Sequence, residues 1–151
     1  MSQSLAQIYV HIVFSTKHRT PWLSDAIFRG RVHAYLATAC QTLGSPALEV
    51  GGVADHVHLL MRLGKTSSIS DLLRDLKRDS TNWIHVEGAG LSDFHWQNGY
   101  GAFSLSPSHV EAVREYIRNQ EEHHRKISFQ DEFRRLCAKY GAPLDERYAW
   151  D

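Results

Sequence analysis

Apolar and polar residues alternate along two segments of the chain, residues 8–14 and 56–63. A period of two places every second side chain on the same face of a β-strand. The first segment therefore predicts a strand with one wholly apolar face. The second predicts a strand with two different faces, because Val57, Leu59 and Met61 lie on one face and His56 and His58 on the other.

Two weaker strands and four helices complete the pattern. Residues 48–53 and 94–105 predict short strands, and each contains two glycines that loosen it. Apolar residues at helical spacing, bounded by capping residues, predict the helices. The predicted helices run from Ser24 to about Leu43, from Ser70 to about Val86, from Ser106-Pro107 onwards, and from Ser128 to Gly141.

The order of these elements predicts the fold class. Strand, helix, strand, strand, helix, strand is the order of a ferredoxin-like split βαβ fold, which is an α+β architecture. Two helices then cover one face of a four-stranded antiparallel sheet, and we expect His56 and His58 on the open face. We expect one domain over residues 1–151, with a core of about residues 6–105 and further helices over about residues 107–141.

Charge and composition narrow the function classes. The chain has 151 residues and carries 17 Lys and Arg against 17 Asp and Glu, so it has no formal net charge. This balance excludes a histone-like protein that holds nucleic acid by bulk positive charge. Ten histidines are many for this length and are the first indication of chemistry.

The cysteines and the N-terminus bear on the compartment. Cys40 and Cys137 lack CxxC spacing, so neither a disulfide framework nor a cysteine-based zinc site is expected. No signal peptide is visible, and no apolar stretch approaches the ~20 residues of a membrane span. We therefore expect a cytoplasmic protein without a membrane partner.

Two pairs of polar residues have spacings that can place them in one site. His56 and His58 project about 7 Å apart from the same side of a strand, so their imidazoles can converge on one metal ion. Tyr116 and Gln120 are four residues apart on the third helix and lie side by side. Taken separately, each pair is more often ordinary surface than a site.

Together the two pairs match a known pattern. Residues 55–60 (DHVHLL) with residues 116–120 (YIRNQ) resemble the HUH single-tyrosine transposases of the IS-two-hundred/IS-six-hundred-five insertion-sequence type. The resemblance covers nearly the whole chain. Residues 10–17 are similar to that family's first strand, residues 99–104 to its last strand, and residues 120–124 to the continuation of its helix.

The resemblance implies a DNA strand transferase. Tyr116 would attack a phosphodiester of single-stranded DNA, giving a 5′-phosphotyrosine intermediate and a free 3′-hydroxyl. His56, His58 and Gln120 would hold Mg²⁺ or Mn²⁺ on the scissile phosphate. This fits the chemistry, because a tyrosine with a pKa near 10 is a poor nucleophile unless the phosphate is polarised. The chain has no P-loop motif, so no nucleotide cofactor is expected.

The resemblance also implies partners, namely DNA hairpins near the ends of the element and a second copy of the chain in a homodimer. Local basic residues are candidate phosphate contacts: Lys17, Arg19, Arg74, Lys77 and Arg78. Trp22, Trp96 and Tyr100 either stack bases or pack in the core. His11, Asp55 and His124 are candidates for supporting the metal ligands, whereas His123 is expected on the helix surface.

Three other functions compete with that of a transposase. A histidine-triad nucleotide hydrolase is disfavoured, because Leu60 stands where the third histidine would be. An RNA-binding module with a ferredoxin-like sheet would carry aromatic residues rather than two histidines on its open face. A catalytically silent or domesticated relative that still binds DNA hairpins remains open.

Overall fold

The structure, a computed structural model, describes residues 3–150 and contains one four-stranded sheet and five α-helices within that range. The strands are β1 (Tyr9–Ser15), β2 (Ala47–Val53), β3 (His56–Arg62) and β4 (Gly101–Leu105). The helices are α1 (Ala26–Thr42), α2 (Ile69–Glu87), α3 (Val110–Arg118), α4 (Gln120–His123) and α5 (Phe129–Tyr140).

The sheet has the predicted topology. Its strand order is β2-β3-β1-β4, and all three pairings are antiparallel. β1 is central and pairs with β3 along its whole length, from Tyr9 opposite Arg62 to Ser15 opposite His56. This confirms the α+β fold class with a ferredoxin-like split βαβ core.

The apolar faces of β1 and β3 bury against α1 and α2. Ile12, Phe14 and Leu59 pack in one cluster with Leu36 of α1 and Leu76 of α2. Burial of such side chains stabilises the fold by about 1.5–3 kcal/mol each before entropy is counted. The alternation of apolar and polar residues in the sequence predicted that this face of β1 and β3 is apolar.

The other face of the sheet is not open, and that expectation was wrong. His56 and His58 are fully buried there, because α3, α4 and α5 lie over them. Two apolar clusters hold α3 and α5 on the sheet, one around Leu60 and Ile117 and one around Phe129. The amphipathic C-terminal helices bury their apolar stripes on the only sheet surface left uncovered by α1 and α2.

Several predicted element ends shift by a few residues. α1 is capped by Asp25, whose carboxylate accepts from the amides of Ile27 and Phe28, rather than by Ser24. α2 is capped by Ser68 rather than by Ser70. An aspartate or serine caps only where its side chain faces the free amides of the first turn, which spacing alone does not decide.

The fourth strand is shorter than predicted, and the third helix is interrupted. Residues 94–98 lie outside β4. An isolated bridge joins Trp96 to Thr16, just beyond β1, and Phe94 and Trp96 pack in the core. The third helix opens with a short 3-10 turn at Pro107–His109 and is broken at Asn119. Within residues 3–150, no helix combines the length and the apolar character that crossing a membrane requires.

Candidate functional site

The histidine pair is placed by the alternation of β3. His56 and His58 both point toward the C-terminal helices, with ring centroids 5.2 Å apart. Both side chains are fully buried, so neither imidazole is a surface group. A buried imidazole pair requires specific partners for its ring nitrogens.

The tyrosine and the glutamine reach the same place from α3 and α4. The ring of Tyr116 lies 5.7 Å from the ring of His58 between centroids. The amide oxygen of Gln120 lies 3.0 Å from Nε2 of His56. The structure therefore brings together all four residues of the predicted constellation.

Glu132 of α5 stands at the centre of this cluster, and sequence reasoning missed it. Its Oε1 lies 2.9 Å from Nε2 of His58 and 3.1 Å from Nε2 of His124. Its Oε2 accepts hydrogen bonds from the hydroxyl of Tyr116 and, at 3.0 Å, from the amide of Gln120. The carboxylate thus touches both the imidazoles and the tyrosine.

A signal for Glu132 was present in the sequence. Phe129, Glu132 and Leu136 lie at helical spacing and share the buried face of α5. A carboxylate inside an apolar stripe requires compensating partners when the helix docks. That pattern marks a buried functional or structural carboxylate.

The Nδ1 atoms of His56, His58 and His124 each face a polar partner on the side away from Glu132. Nδ1 lies 2.7 Å from Asp55 Oδ1 in His56, 2.8 Å from His11 Nε2 in His58, and 2.8 Å from the carbonyl of Ile127 in His124. Metal-binding histidines are oriented in this way, with the second ring nitrogen bonded to a carboxylate, carbonyl or similar group. The ligand atoms of His56, His58, His124 and Glu132 lie within 4.8 Å of one another, so they can hold a metal ion.

His123 and His124 both lie in this region, as expected for His124, whereas His123 is only partly exposed rather than on the open helix surface. The side chain of His124 is buried against Glu132. Nε2 of His123 lies 3.4 Å from the hydroxyl of Tyr116, and 30% of the side chain is exposed. α3 ends at Asn119, and the short α4 that follows carries His123, with His124 at its C-terminal cap.

The electrostatics keep Glu132 ionised and Tyr116 protonated. Burial alone would raise the pKa of Glu132, but the imidazoles of His124, His56 and His58 outweigh it and hold that pKa well below its usual range. Burial, with the adjacent Glu132 carboxylate, raises the pKa of Tyr116 above its ordinary value. The hydroxyl is therefore a hydrogen-bond donor in this state.

The histidines of the cluster divide into two charge states. Burial opposes a charge on His56, but its hydrogen bonds to Asp55 and Glu132 prevail and raise its pKa to about 9. Burial lowers the pKa of His58 to about 4, despite Glu132. Burial together with His58 lowers the pKa of His11 to about 3.

The comparison with known families agrees with this site. The family described as "Transposase IS200 like" matches residues 4–120, which include the histidine pair, Tyr116 and Gln120. The chain belongs to the IS200-like transposase family. The match ends before α5, so it does not include Glu132.

Solved structures share the fold of this transposase. A chain from Deinococcus radiodurans R1, described provisionally as a transposase, aligns with a TM-score of 0.63 at 22% identity over 78% of this chain and 93% of that one. A REP-associated tyrosine transposase bound to a REP hairpin aligns with a TM-score of 0.59 at 14% identity over 82% and 74%. A search of curated proteins found no match.

A cavity of about 440 Å³ opens beside Tyr116 of the transposase. Residues of β1, β4, the 3-10 turn, α3 and α5 line it, including His109, Lys139 and Tyr140. Its walls are mostly apolar, and Tyr116 is only partly buried on this side. Tyr116 therefore borders this cavity, while its hydroxyl turns toward Glu132 and His123.

The basic residues predicted to contact DNA differ in whether their side chains are exposed or already bound within the transposase. Lys77 donates to the carbonyls of Gln97 and Gly99 at 2.9 and 2.6 Å, and burial lowers its pKa to about 8. Arg19 donates to the carbonyl of Trp150 at 2.8 Å. Both cationic side chains therefore donate hydrogen bonds to backbone carbonyls of their own chain.

Arg74, Arg78 and Lys17 are exposed. The two arginines lie on α2 and form surface ion pairs with aspartates of the same helix. They line a groove of about 430 Å³ that Tyr100 also borders. Tyr100 is 40% exposed, whereas Trp96 is buried and Trp22 partly buried, so packing is the role of both tryptophans.

Proposed function

We propose that this transposase cuts and rejoins single-stranded DNA at the ends of an insertion sequence. Tyr116 is the nucleophile, and a 5′-phosphotyrosine links protein and DNA between the two steps. The observation that carries the proposal is the position of the Tyr116 ring, 5.7 Å from that of His58 and beside a cavity of about 440 Å³.

A divalent metal, Mg²⁺ or Mn²⁺, is proposed at His56 and His58, and the family resemblance implies Gln120 as a third ligand. The donor set fits, because imidazole nitrogens and an amide oxygen are ligands of such ions and the outer hydrogen bonds orient the rings. When bound, the ion would polarise the scissile phosphate and offset its charge. Every other part of the reaction falls to the chain's own side chains.

In the proposed cleavage, the Tyr116 oxygen forms a bond to phosphorus as the bond from phosphorus to the 3′-oxygen breaks. The electron pair leaves on the 3′-oxygen, which takes a proton from solvent. The proton of Tyr116 passes to Nε2 of His123, 3.4 Å from the hydroxyl. His123 is the better acceptor, because the low pKa of Glu132 makes its carboxylate a weak base.

The proposed DNA partner is a hairpin near each end of the element. The structural relative bound to a REP hairpin supports this partner. Arg74, Arg78 and Lys17 are the proposed phosphate contacts, because their side chains are exposed. Tyr100, at the border of the groove, is the proposed stacking platform for an unpaired base.

A hairpin-binding relative without cleavage activity is the second candidate. The hydrogen bond from the Tyr116 hydroxyl to Glu132 favours it, because a held and protonated phenol does not attack phosphate. A ferredoxin-like RNA-binding module is not supported, since helices α3 to α5 cover the sheet face that would stack bases.

The test uses single-stranded oligonucleotides copied from the DNA flanking the gene, incubated with protein and Mn²⁺. A covalent adduct on a denaturing gel, lost with EDTA and with Tyr116→Phe, is the expected result. Tyr148→Phe is the matched control, because Tyr148 is exposed and lies outside the site. Adduct formation by Tyr116→Phe would contradict the assignment of the nucleophile.

Hairpin binding is measured separately on a native gel. Tyr116→Phe should bind the hairpin as well as the unchanged protein does, whereas Arg74→Ala with Arg78→Ala should bind it more weakly. Equal binding by that double variant would remove α2 from the proposed interface. Binding without any adduct would favour the silent relative.

A further inference from the structure

Three imidazoles and one carboxylate converge on a single point behind Tyr116. Nε2 of His58, His124 and His56 lies 2.9, 3.1 and 3.4 Å from Oε1 of Glu132. Ligand atoms that sit about 2.1 Å from one divalent ion lie roughly 3 Å apart from each other. Each nitrogen thus lies from Oε1 at about the distance that separates neighbouring ligands of one ion, and all four atoms lie within 4.8 Å of one another.

His124 gives the clearest indication that a cation fits among these four atoms. Its Nδ1 lies 2.8 Å from the carbonyl of Ile127, which only accepts, so Nδ1 carries the hydrogen. Its Nε2 is buried and has no hydrogen-bond partner within residues 3–150. This nitrogen points at Oε1 of Glu132 from 3.1 Å, and a cation between these two atoms would satisfy both.

His58 is prepared for the same role by His11. A metal at Nε2 of His58 requires the ring proton to sit on Nδ1. Nε2 of His11, 2.8 Å away, is placed to accept that proton. Asp55 performs the equivalent task for His56, at 2.7 Å from its Nδ1.

We propose that His56, His58, His124 and Glu132 form the metal site of this transposase, with Oε1 of Glu132 as its anionic ligand. Gln120 is then a positioning residue, because its amide bridges His56 and Glu132 at 3.0 Å each. The inference rests on the proposed function, whose metal it assigns to a different ligand set.

This ligand set carries a preference among metals. Mg²⁺ favours sites built mainly from oxygen ligands, whereas imidazoles favour Mn²⁺, Co²⁺ and Zn²⁺. Three nitrogens and one carboxylate oxygen therefore select the latter ions. The second oxygen of Glu132 accepts from the Tyr116 hydroxyl, so one carboxylate holds both the ion and the nucleophile.

The test is calorimetric titration of metal-stripped full-length protein with Mn²⁺ and, separately, with Mg²⁺. We expect Mn²⁺ to bind more tightly than Mg²⁺. Glu132→Gln and His124→Gln should each weaken Mn²⁺ binding by at least about tenfold. The matched controls are Glu122→Gln and His95→Gln, because both residues are exposed and outside the cluster, and Mn²⁺ affinity should not change in either.

Gln120→Ala separates this ligand set from the one with Gln120. Under the proposal it keeps Mn²⁺ affinity within a few-fold of the unchanged protein. Circular dichroism checks the fold of each variant, and Glu132→Asp replaces Glu132→Gln if the latter unfolds, with the same direction of change expected because the shorter side chain withdraws the ligand oxygen.

Loss of affinity in Gln120→Ala with retention in Glu132→Gln would overturn the inference. So would the absence of Mn²⁺ binding by the unchanged protein. The adduct assay is independent of both results, because it reports whether Tyr116 attacks DNA whichever residues hold the ion. Failure of the ligand assignment is therefore distinguishable from failure of the proposed function.

Discussion

His33 shows at the residue scale how burial sets the charge of a histidine in this chain. Burial and the neighbouring Arg29 lower the pKa of His33 to about 4, although Glu121 opposes them. Its Nε2 is buried without a hydrogen-bond partner within residues 3–150. His56, which faces two carboxylates, has a pKa of about 9 instead. Partners rather than residue type decide which of these rings is charged.

The low pKa of His33 predicts an acid-sensitive contribution to stability. An unfolded histidine has a pKa of about 6.5, so the unfolded state binds more protons than the folded state between that value and about 4. The free energy of unfolding should therefore fall as the pH falls through this window. Urea titrations from about pH 7 to about pH 5 should show a loss about 1 to 2 kcal/mol larger than in His33→Gln. Parallel curves for the two proteins would contradict this.

Sequence spacing predicted some site residues and missed others for a physical reason. His56 with His58, and Tyr116 with Gln120, are short-range pairs within elements whose period was readable. Glu132 belongs to a separate helix, and its role depends on how α5 docks on the sheet. No local spacing encodes that docking, although the carboxylate in the apolar stripe marked the residue as unusual.

At the element scale, the position of Tyr116 depends on the contact of α3 with β2. Gly51 of β2 lies directly beneath Ile117 of α3, one residue from the tyrosine. A Cβ at position 51 would lie 2.6 Å from the carbonyl oxygen of Ile117. This approach is closer than atoms tolerate, and the blocking atom belongs to the backbone, so the helix itself must move.

Gly51→Ala should therefore displace α3, lower the free energy of unfolding by about 1–3 kcal/mol and reduce adduct formation. Gly30→Ala is the matched control, because a Cβ there meets nothing within 4 Å. Position 30 lies within α1, so alanine should stabilise the protein by about 0.5–1 kcal/mol. Chemical denaturation measures both changes. If Gly51→Ala were as stable as the unchanged protein, the close contact would not govern the position of α3.

The elements themselves were predictable to different degrees. The order of the strands and the presence of the first two helices followed from the hydrophobic period, because each element has a strong pattern of its own, although the capping residues of both helices did not. The coverage of the second sheet face did not follow, because it depends on the break at Asn119 and the turn before α5. The chain changes direction at both places, and neither change has a distinctive pattern in the sequence.

At the scale of the whole molecule, we propose that one domain contains the complete site. β3, α3, α4 and α5 of the same chain contribute its residues, and Tyr116 faces the histidines of its own chain. The predicted homodimer remains a proposal, which light scattering at micromolar concentration tests. A monomer under those conditions would exclude it. In a dimer of this structure, each subunit would use its own tyrosine.

Mixing two inactive proteins tests whether the site forms within one chain. His56→Ala retains the tyrosine and Tyr116→Phe retains the histidines, so a site shared between subunits would be restored in a mixed dimer. A site within one chain would not be restored, because each subunit then lacks either His56 or the hydroxyl of Tyr116. We expect no adduct from the mixture after the subunits have been unfolded and refolded together, with unchanged protein refolded alongside as the control. Recovery of about a quarter of the control activity or more would show that the tyrosine helix serves the partner subunit.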